Sequence, residues 1–113
     1  MHELTVIENI MNISIQAAKE NELSHIEKIN LTVGKLQHLN EMIIQNAFLA
    51  AKIDTPAAKA ELIISRRPVQ LMCQDCKHEF LPENNYFYCP ECNSSNTKIV
   101  RGNELHVESI EGR

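Results

Sequence analysis

Cys73-Gln74-Asp75-Cys76, twelve intervening residues and Cys89-Pro90-Glu91-Cys92 make two Cys-x-x-Cys knuckles in a chain of 113 residues. Each knuckle sets two thiolates on a tight turn whose amides can bond the sulfurs. Two knuckles supply four soft ligands, which suits Zn²⁺ and closes its tetrahedral shell. A closed shell leaves no position for water, so the spacing predicts a structural metal and no hydrolase. Paired disulfides are the competing reading. They need an oxidising compartment, and the polar, acidic start of the chain lacks the apolar core of a secretory signal. The expected setting is the cytoplasm, with reduced thiols.

Working outward, Pro68 and Gly102 bracket the cysteines. Residues 68–101 are expected to form an inserted, zinc-ribbon-like module. A segment this short, below roughly 40 residues, rarely folds without a metal. Leu71, Phe80, Tyr86, Phe87 and Tyr88 are its expected core.

The remaining sequence, 1–67 and 102–113, reads as one α/β domain. Leu4, Ile7, Ile10, Met11, Ala17 and Ala18 recur at helical spacing. Thr5-Val6-Ile7-Glu8 fits a capping box, so this helix is expected from about Thr5 to Glu20. Ile29, Leu31 and Val33 alternate with polar residues as in a half-buried strand that ends at Gly34. Asn40 is a good N-cap, and Met42, Ile43, Ala47, Phe48 and Ala51 follow as a second helical stripe, stopped at Asp54-Thr55-Pro56. Ala60 to Arg67 and Asn103 to Ile110 alternate as two further strands. The expected fold is a two-layer sandwich, a three-stranded sheet with two helices, plus the inserted module.

Lys and Arg number 11 against 15 Asp and Glu, a net charge of −4. That balance argues against nucleic acid as a partner, although Arg66, Arg67, Lys77, Lys98 and Arg101 could line a basic edge. A zinc-ribbon nucleic-acid binder or an adaptor is therefore the alternative function. No apolar run approaches the roughly 20 residues of a membrane span. No catalytic residues are expected: Glu91 lies inside a knuckle but has no metal-bound water to activate.

The first three residues, Met1-His2-Glu3, carry a second donor set. The Met1 α-amine, the His2 and Glu3 amides and the His2 imidazole offer four nitrogens around one ion. A planar set of four nitrogens is what Ni(II) or Cu(II) prefers. The bulk of His2 is expected to keep Met1 on the chain. Among the other histidines, His25 and His38 are expected in solvated connections and His106 on the open side of its strand. His78 is expected to be exposed near the metal without ligating it.

Met-His-Glu at the extreme N-terminus, the following helix, Gly34 after a strand, the paired knuckles and Gly102-Asn103-Glu104-Leu105 before a closing strand resemble the HypA/HybF family, in order and length. The resemblance implies a nickel metallochaperone of hydrogenase and urease maturation. It implies Ni(II) as cargo at His2, with Met1 and Glu3, and Zn(II) as a structural ion at Cys73, Cys76, Cys89 and Cys92. The implied partners are a HypB-like GTPase, the [NiFe]-hydrogenase large-subunit precursor and, in some organisms, urease maturation proteins. The chain is expected to be a monomer or homodimer.

Overall fold

The computed structural model describes residues 3–83 and 86–113. In chain order the elements are α1 (Glu3–Glu20), β1 (Ile26–Gly34), α2 (Glu41–Ala51), β2 (Glu61–Arg67), β3 (Gln70–Cys73), β4 (Glu79–Phe80), β5 (Thr97–Arg101) and β6 (Leu105–Gly112). They fall into two compact units. One holds the residues up to Thr32 with His38–Ser65 and Leu105–Arg113; the other holds Val33–Gln37 with Arg66–Glu104.

The first unit is the expected α/β sandwich. Its sheet has the order β2-β1-β6. The Ile26 N–H bonds the Pro56 carbonyl ahead of β2, and the Lys35 N–H bonds the Arg67 carbonyl at its end, both at 2.9 Å. β1 and β2 therefore run parallel, joined by α2 as the crossover that parallel strands require. β6 runs antiparallel to β1: His25 and Arg113 exchange both backbone bonds at 2.9 Å. As the central strand, β1 buries Ile29, Leu31 and Val33, and also Thr32 on its other side. Thr32 and Asn30 reach across to Glu108, Ser109 and Glu111 of β6.

α1 buries Val6, Ile7, Ile10, Met11, Ser14 and Ala18, a stripe at helical spacing, and packs on α2 and β6. It begins at Glu3, two residues earlier than the capping-box pattern suggests. Two effects favour the longer helix. A carboxylate in the first turn complements the helix dipole, and the Glu3 carboxylate accepts the Asn40 N–H at 3.4 Å. α2 begins as expected, with the Asn40 side chain accepting the Ile43 N–H at 3.1 Å. Its phase differs from the expected stripe. Ile44 and Phe48 point into the core, while Met42 and Ile43 are exposed. The helix is apolar nearly all round, so periodicity alone could not orient it. Among the described residues no helix is long and apolar enough to cross a membrane.

The second unit is built on the sheet β4-β3-β5. Both pairings are antiparallel, and Leu71 faces Phe80 on one side and Ile99 on the other. Val33–Gln37 joins this unit through the Leu36 N–H, which bonds the Gly102 carbonyl at 2.7 Å, and the Gln37 amide, which bonds the Asn103 carbonyl at 2.7 Å. The Arg66 guanidinium spans the Gly34 and Gln37 carbonyls, each at 3.2 Å.

This joint requires glycine twice. A Cβ on Gly34 would lie 2.0 Å from the Gly102 carbonyl oxygen and 2.6 Å from the Asn103 nitrogen, both rigid backbone. Gly102 itself has φ +115°, and its Cβ would meet the Val69 Cα at 2.7 Å. Ordinarily Gly→Ala stabilises slightly by restricting the unfolded chain. Here Gly34→Ala is expected to destabilise by about 3 kcal/mol, as overpacking against main chain does. Chemical denaturation of the two proteins gives the sign directly.

The expected aromatic core of the second unit is not what forms. Tyr86, Phe87 and Tyr88 are exposed, the Tyr86 and Tyr88 rings resting on each other at 4.8 Å between centroids. Among the described residues from Arg66 to Glu104 the buried side chains are Leu71, Cys73 and Cys89. In so small a unit the ligand sulfurs occupy the centre, and large rings have no interior to enter.

Candidate metal centre

The cysteines of the two knuckles lie on parallel constructions. In the first, the Lys77 N–H bonds the Cys73 carbonyl at 2.9 Å; in the second, the Asn93 N–H bonds the Cys89 carbonyl at 2.8 Å. Lys77 and Asn93, each directly after the second cysteine of its knuckle, share a left-handed backbone, with φ of 66° and 59°. Asn tolerates that region readily and Lys does so at a cost. The turns aim amides at sulfur: the Cys76 N–H at the Cys73 Sγ, 3.5 Å, and the Glu91 N–H at the Cys89 Sγ, 3.4 Å.

All four Sγ atoms lie within 4.8 Å of one another. Cys73 and Cys92 are 3.5 Å apart, as are Cys76 and Cys89. A disulfide would need about 2.0 Å, and the four cysteines are free. Four thiolates at about 2.3 Å from a tetrahedral zinc ion stand about 3.8 Å from each other. The residues present therefore fit a Zn(Cys)₄ centre. Cys73 and Cys89 are buried, Cys76 and Cys92 exposed.

The thiols also show why a cation belongs there. The Cys76 N–H, against a smaller cost of burial, holds the Cys73 thiol down to about 7. Cys92 accepts the Ser94 N–H, which favours its thiolate. The adjoining Cys73 sulfur and burial outweigh that bond and push its thiol up to about 12. One thiolate forms readily and then opposes the next. A divalent cation removes that conflict, and its binding must release protons.

A polar clamp, not anticipated from the sequence, ties the knuckles together. The Asp75 carboxylate, inside the first knuckle, accepts the Ser94 hydroxyl and, at 3.2 Å, the Asn96 amide, both just beyond the second. These two bonds hold the Asp75 carboxyl below the usual carboxylate range. The Gln74 N–H adds a bond to the Asn96 carbonyl at 2.8 Å. A polar residue inside one Cys-x-x-Cys with hydroxyl and amide residues after the other was the available signal.

The His78 side chain is 39% exposed. Its ring stacks on Phe80, with centroids 6.2 Å apart, and its Nε2 lies 3.9 Å from the Glu91 carboxylate of the other knuckle. His25 and His38 are exposed. His106 is exposed as well, its Nε2 2.7 Å from the Glu108 carboxylate. Of the N-terminal donors, Met1 and His2 lie outside the described residues. Glu3 opens α1 and bonds the main chain at Asn40, where α2 begins.

A family model described as "Hydrogenase/urease nickel incorporation, metallochaperone, hypA" matches residues 1–112. A hydrogenase maturation factor HypA from Chloroflexus aggregans is 37% identical over 112 residues, covering 98% of each chain. Another from Dehalococcoides mccartyi is 34% identical over 111 residues, covering 98% of this chain and 93% of the relative. The solution structure of the Ni metallochaperone HypA from Helicobacter pylori matches with a TM-score of 0.75 at 30% identity, over 99% of this chain and 97% of that one. A second HypA solution structure matches with a TM-score of 0.81 at 30% identity, over 100% and 97%. By sequence over its whole length and by fold, the chain belongs to the HypA family of hydrogenase and urease nickel-incorporation metallochaperones.

Proposed function

We propose that this chain captures Ni(II) at its N-terminus and hands it on during maturation of [NiFe]-hydrogenase, and of urease where that enzyme is made. The ligands are the Met1 α-amine, the amides of His2 and Glu3 and the His2 imidazole. The zinc held by Cys73, Cys76, Cys89 and Cys92 stays in place and shapes the second unit. The work is done in the cytoplasm with a HypB-like GTPase and the large-subunit precursor.

The family match across residues 1–112 carries this reading. The start of α1 supports it on physical grounds. The first N–H groups of a helix have no partner in the helix ladder, so the helix need not unwind for the Glu3 amide to give up its proton to a polarising metal. The four cysteines are already a complete set for zinc and hold no vacancy for cargo. Cargo and scaffold ion thus use different chemistry: nitrogen donors that protonate readily, and sulfur donors that bind for good.

The test is the chain with its authentic N-terminus beside the same chain carrying a short N-terminal extension. The extension converts the α-amine to an amide. Calorimetry with Ni(II) is expected to show one site in the first protein and none at the terminus in the second, with zinc content equal in both. Unchanged Ni(II) uptake by the extended chain would overturn the assignment.

A further inference from the structure

The sheet order β2-β1-β6 leaves β6 at an edge, paired with β1 alone among the described strands. Proteins discourage further pairing at such edges with Lys, with Pro or with a covering element. The β2 side of the sheet shows devices of this kind. The Gln45 amide of α2 bonds the Leu62 carbonyl at 2.8 Å, and the Lys52 ammonium bonds the Ala60 carbonyl, just before β2, at 3.1 Å. β2 also ends in Arg66 and Arg67. The β6 sequence, Leu-His-Val-Glu-Ser-Ile-Glu-Gly, holds no Lys, Arg or Pro.

The two faces of this edge differ in chemistry. From Leu105 to Glu108 the strand alternates: Leu105 and Val107 are half-buried, His106 and Glu108 exposed. On the α1 side lies a trough of about 590 Å³, whose apolar lining is Val6, Ile10, Ile13, Leu31, Leu105 and Val107. Ile13 is still 54% exposed. On the other face, Glu108 accepts the Thr32 hydroxyl at 3.2 Å and Glu111 the Asn30 amide at 3.1 Å. β6 thus carries two carboxylates and, apart from His106 at 2.7 Å from Glu108, no basic side chain. Arg113, beyond its end, pairs with Glu27 at 3.5 Å.

We propose that the Leu105–Glu108 half of β6 receives an extended segment of another protein as a fourth strand, and that this segment alternates apolar and basic residues. In strand addition of this kind the main-chain hydrogen bonds give affinity and alternate side chains give specificity. Successive side chains of a strand point to opposite faces. One set enters the trough against α1, which selects apolar residues. The other lies beside Glu108, which selects Lys or Arg, since opposite charges on neighbouring strands stabilise and like charges destabilise. The same rule disfavours a second copy of this chain, because two β6 edges side by side bring carboxylate to carboxylate. This surface goes beyond the proposed nickel transfer and does not depend on it.

The test uses the intact, zinc-loaded chain and three blocked heptapeptides. One alternates lysine and valine, one alternates glutamate and valine, and one has the lysines and valines in two blocks. Calorimetry is expected to show the alternating lysine peptide binding at least about tenfold more tightly than either of the others. Its binding is expected to slow hydrogen exchange at the main-chain amides of Leu105–Glu108 and to leave β2 unchanged. Ile13→Gln, which removes apolar surface from the trough, is expected to weaken that binding at least about fivefold, and Glu108→Lys at least about threefold. Circular dichroism checks both variants, and the peptide comparison on the parent stands even where a variant fails to fold. Absence of binding overturns the proposal, as does equal affinity for the glutamate or block peptide, or protection that appears elsewhere than on β6. A parent that sediments as a dimer, with Leu105–Glu108 already protected before peptide is added, gives the edge to a second copy and overturns it equally.

Discussion

Cys73→Ser is expected to abolish zinc binding and unfold Arg66–Glu104 while the α/β unit keeps its structure. Structural zinc in small modules contributes on the order of 10 kcal/mol or more of folding free energy. Here the contribution has little else to lean on. Among the described residues between Arg66 and Glu104 the buried side chains are Leu71 and two of the metal ligands themselves, and Tyr86, Phe87 and Tyr88 lie outside. Hydroxyl oxygen is a poor replacement for a thiolate on zinc, and the remaining thiols lose the cation that lets them ionise together. Zinc content is expected to fall below about half an equivalent. Amide resonances of Arg66–Glu104 should collapse to unfolded positions, while those of α1, α2 and β6 stay dispersed. The α/β unit has its own core, with Ile7, Ile29, Leu31, Ile44 and Phe48 at 1% exposure or less. Loss of every dispersed resonance at once would show that the two units do not fold independently.

His2→Ala is expected to remove Ni(II) binding and leave zinc untouched. Replacing a residue that merely orients a ligand costs 10–100-fold in metal affinity, so deleting a ligand should cost at least about a hundredfold. The direction of the pH effect follows from the same donors. Protons compete with Ni(II) for the imidazole and amine lone pairs, whose ordinary pKa values are about 6.5 and about 8. Affinity of the parent should therefore decline as pH falls, most steeply below about 6.5, where both donors are protonated. Calorimetry of parent and variant between mildly alkaline and mildly acidic pH checks both statements. Equal affinity in His2→Ala would place the cargo elsewhere on the chain.

Much of this could be read from the sequence because it rests on local rules. The cysteine spacing is a ligand geometry in itself. The Asn40 cap is one side chain bonding an amide three residues on, and β1 shows its period of two. What escaped depends on partners far along the chain. Ile44 rather than Ile43 faces inward because of where α1 and the sheet lie, which a helix apolar nearly all round does not disclose. Tyr86, Phe87 and Tyr88 are apolar enough to suit a core, whereas the buried sulfurs of Cys73 and Cys89 take the interior. Asp75 meets its partners, Ser94 and Asn96, only once the second knuckle folds against the first. Gly34 was legible as a strand end, but not its close approach to Gly102, sixty-eight residues later.

The antiparallel pairing of β1 with β6 joins residues 25 and 113, far apart along the chain. Until β6 pairs with it, β1 keeps one open flank. Unpaired strand edges recruit other strands, so the late-arriving β6 guards against aggregation as well as adding stability.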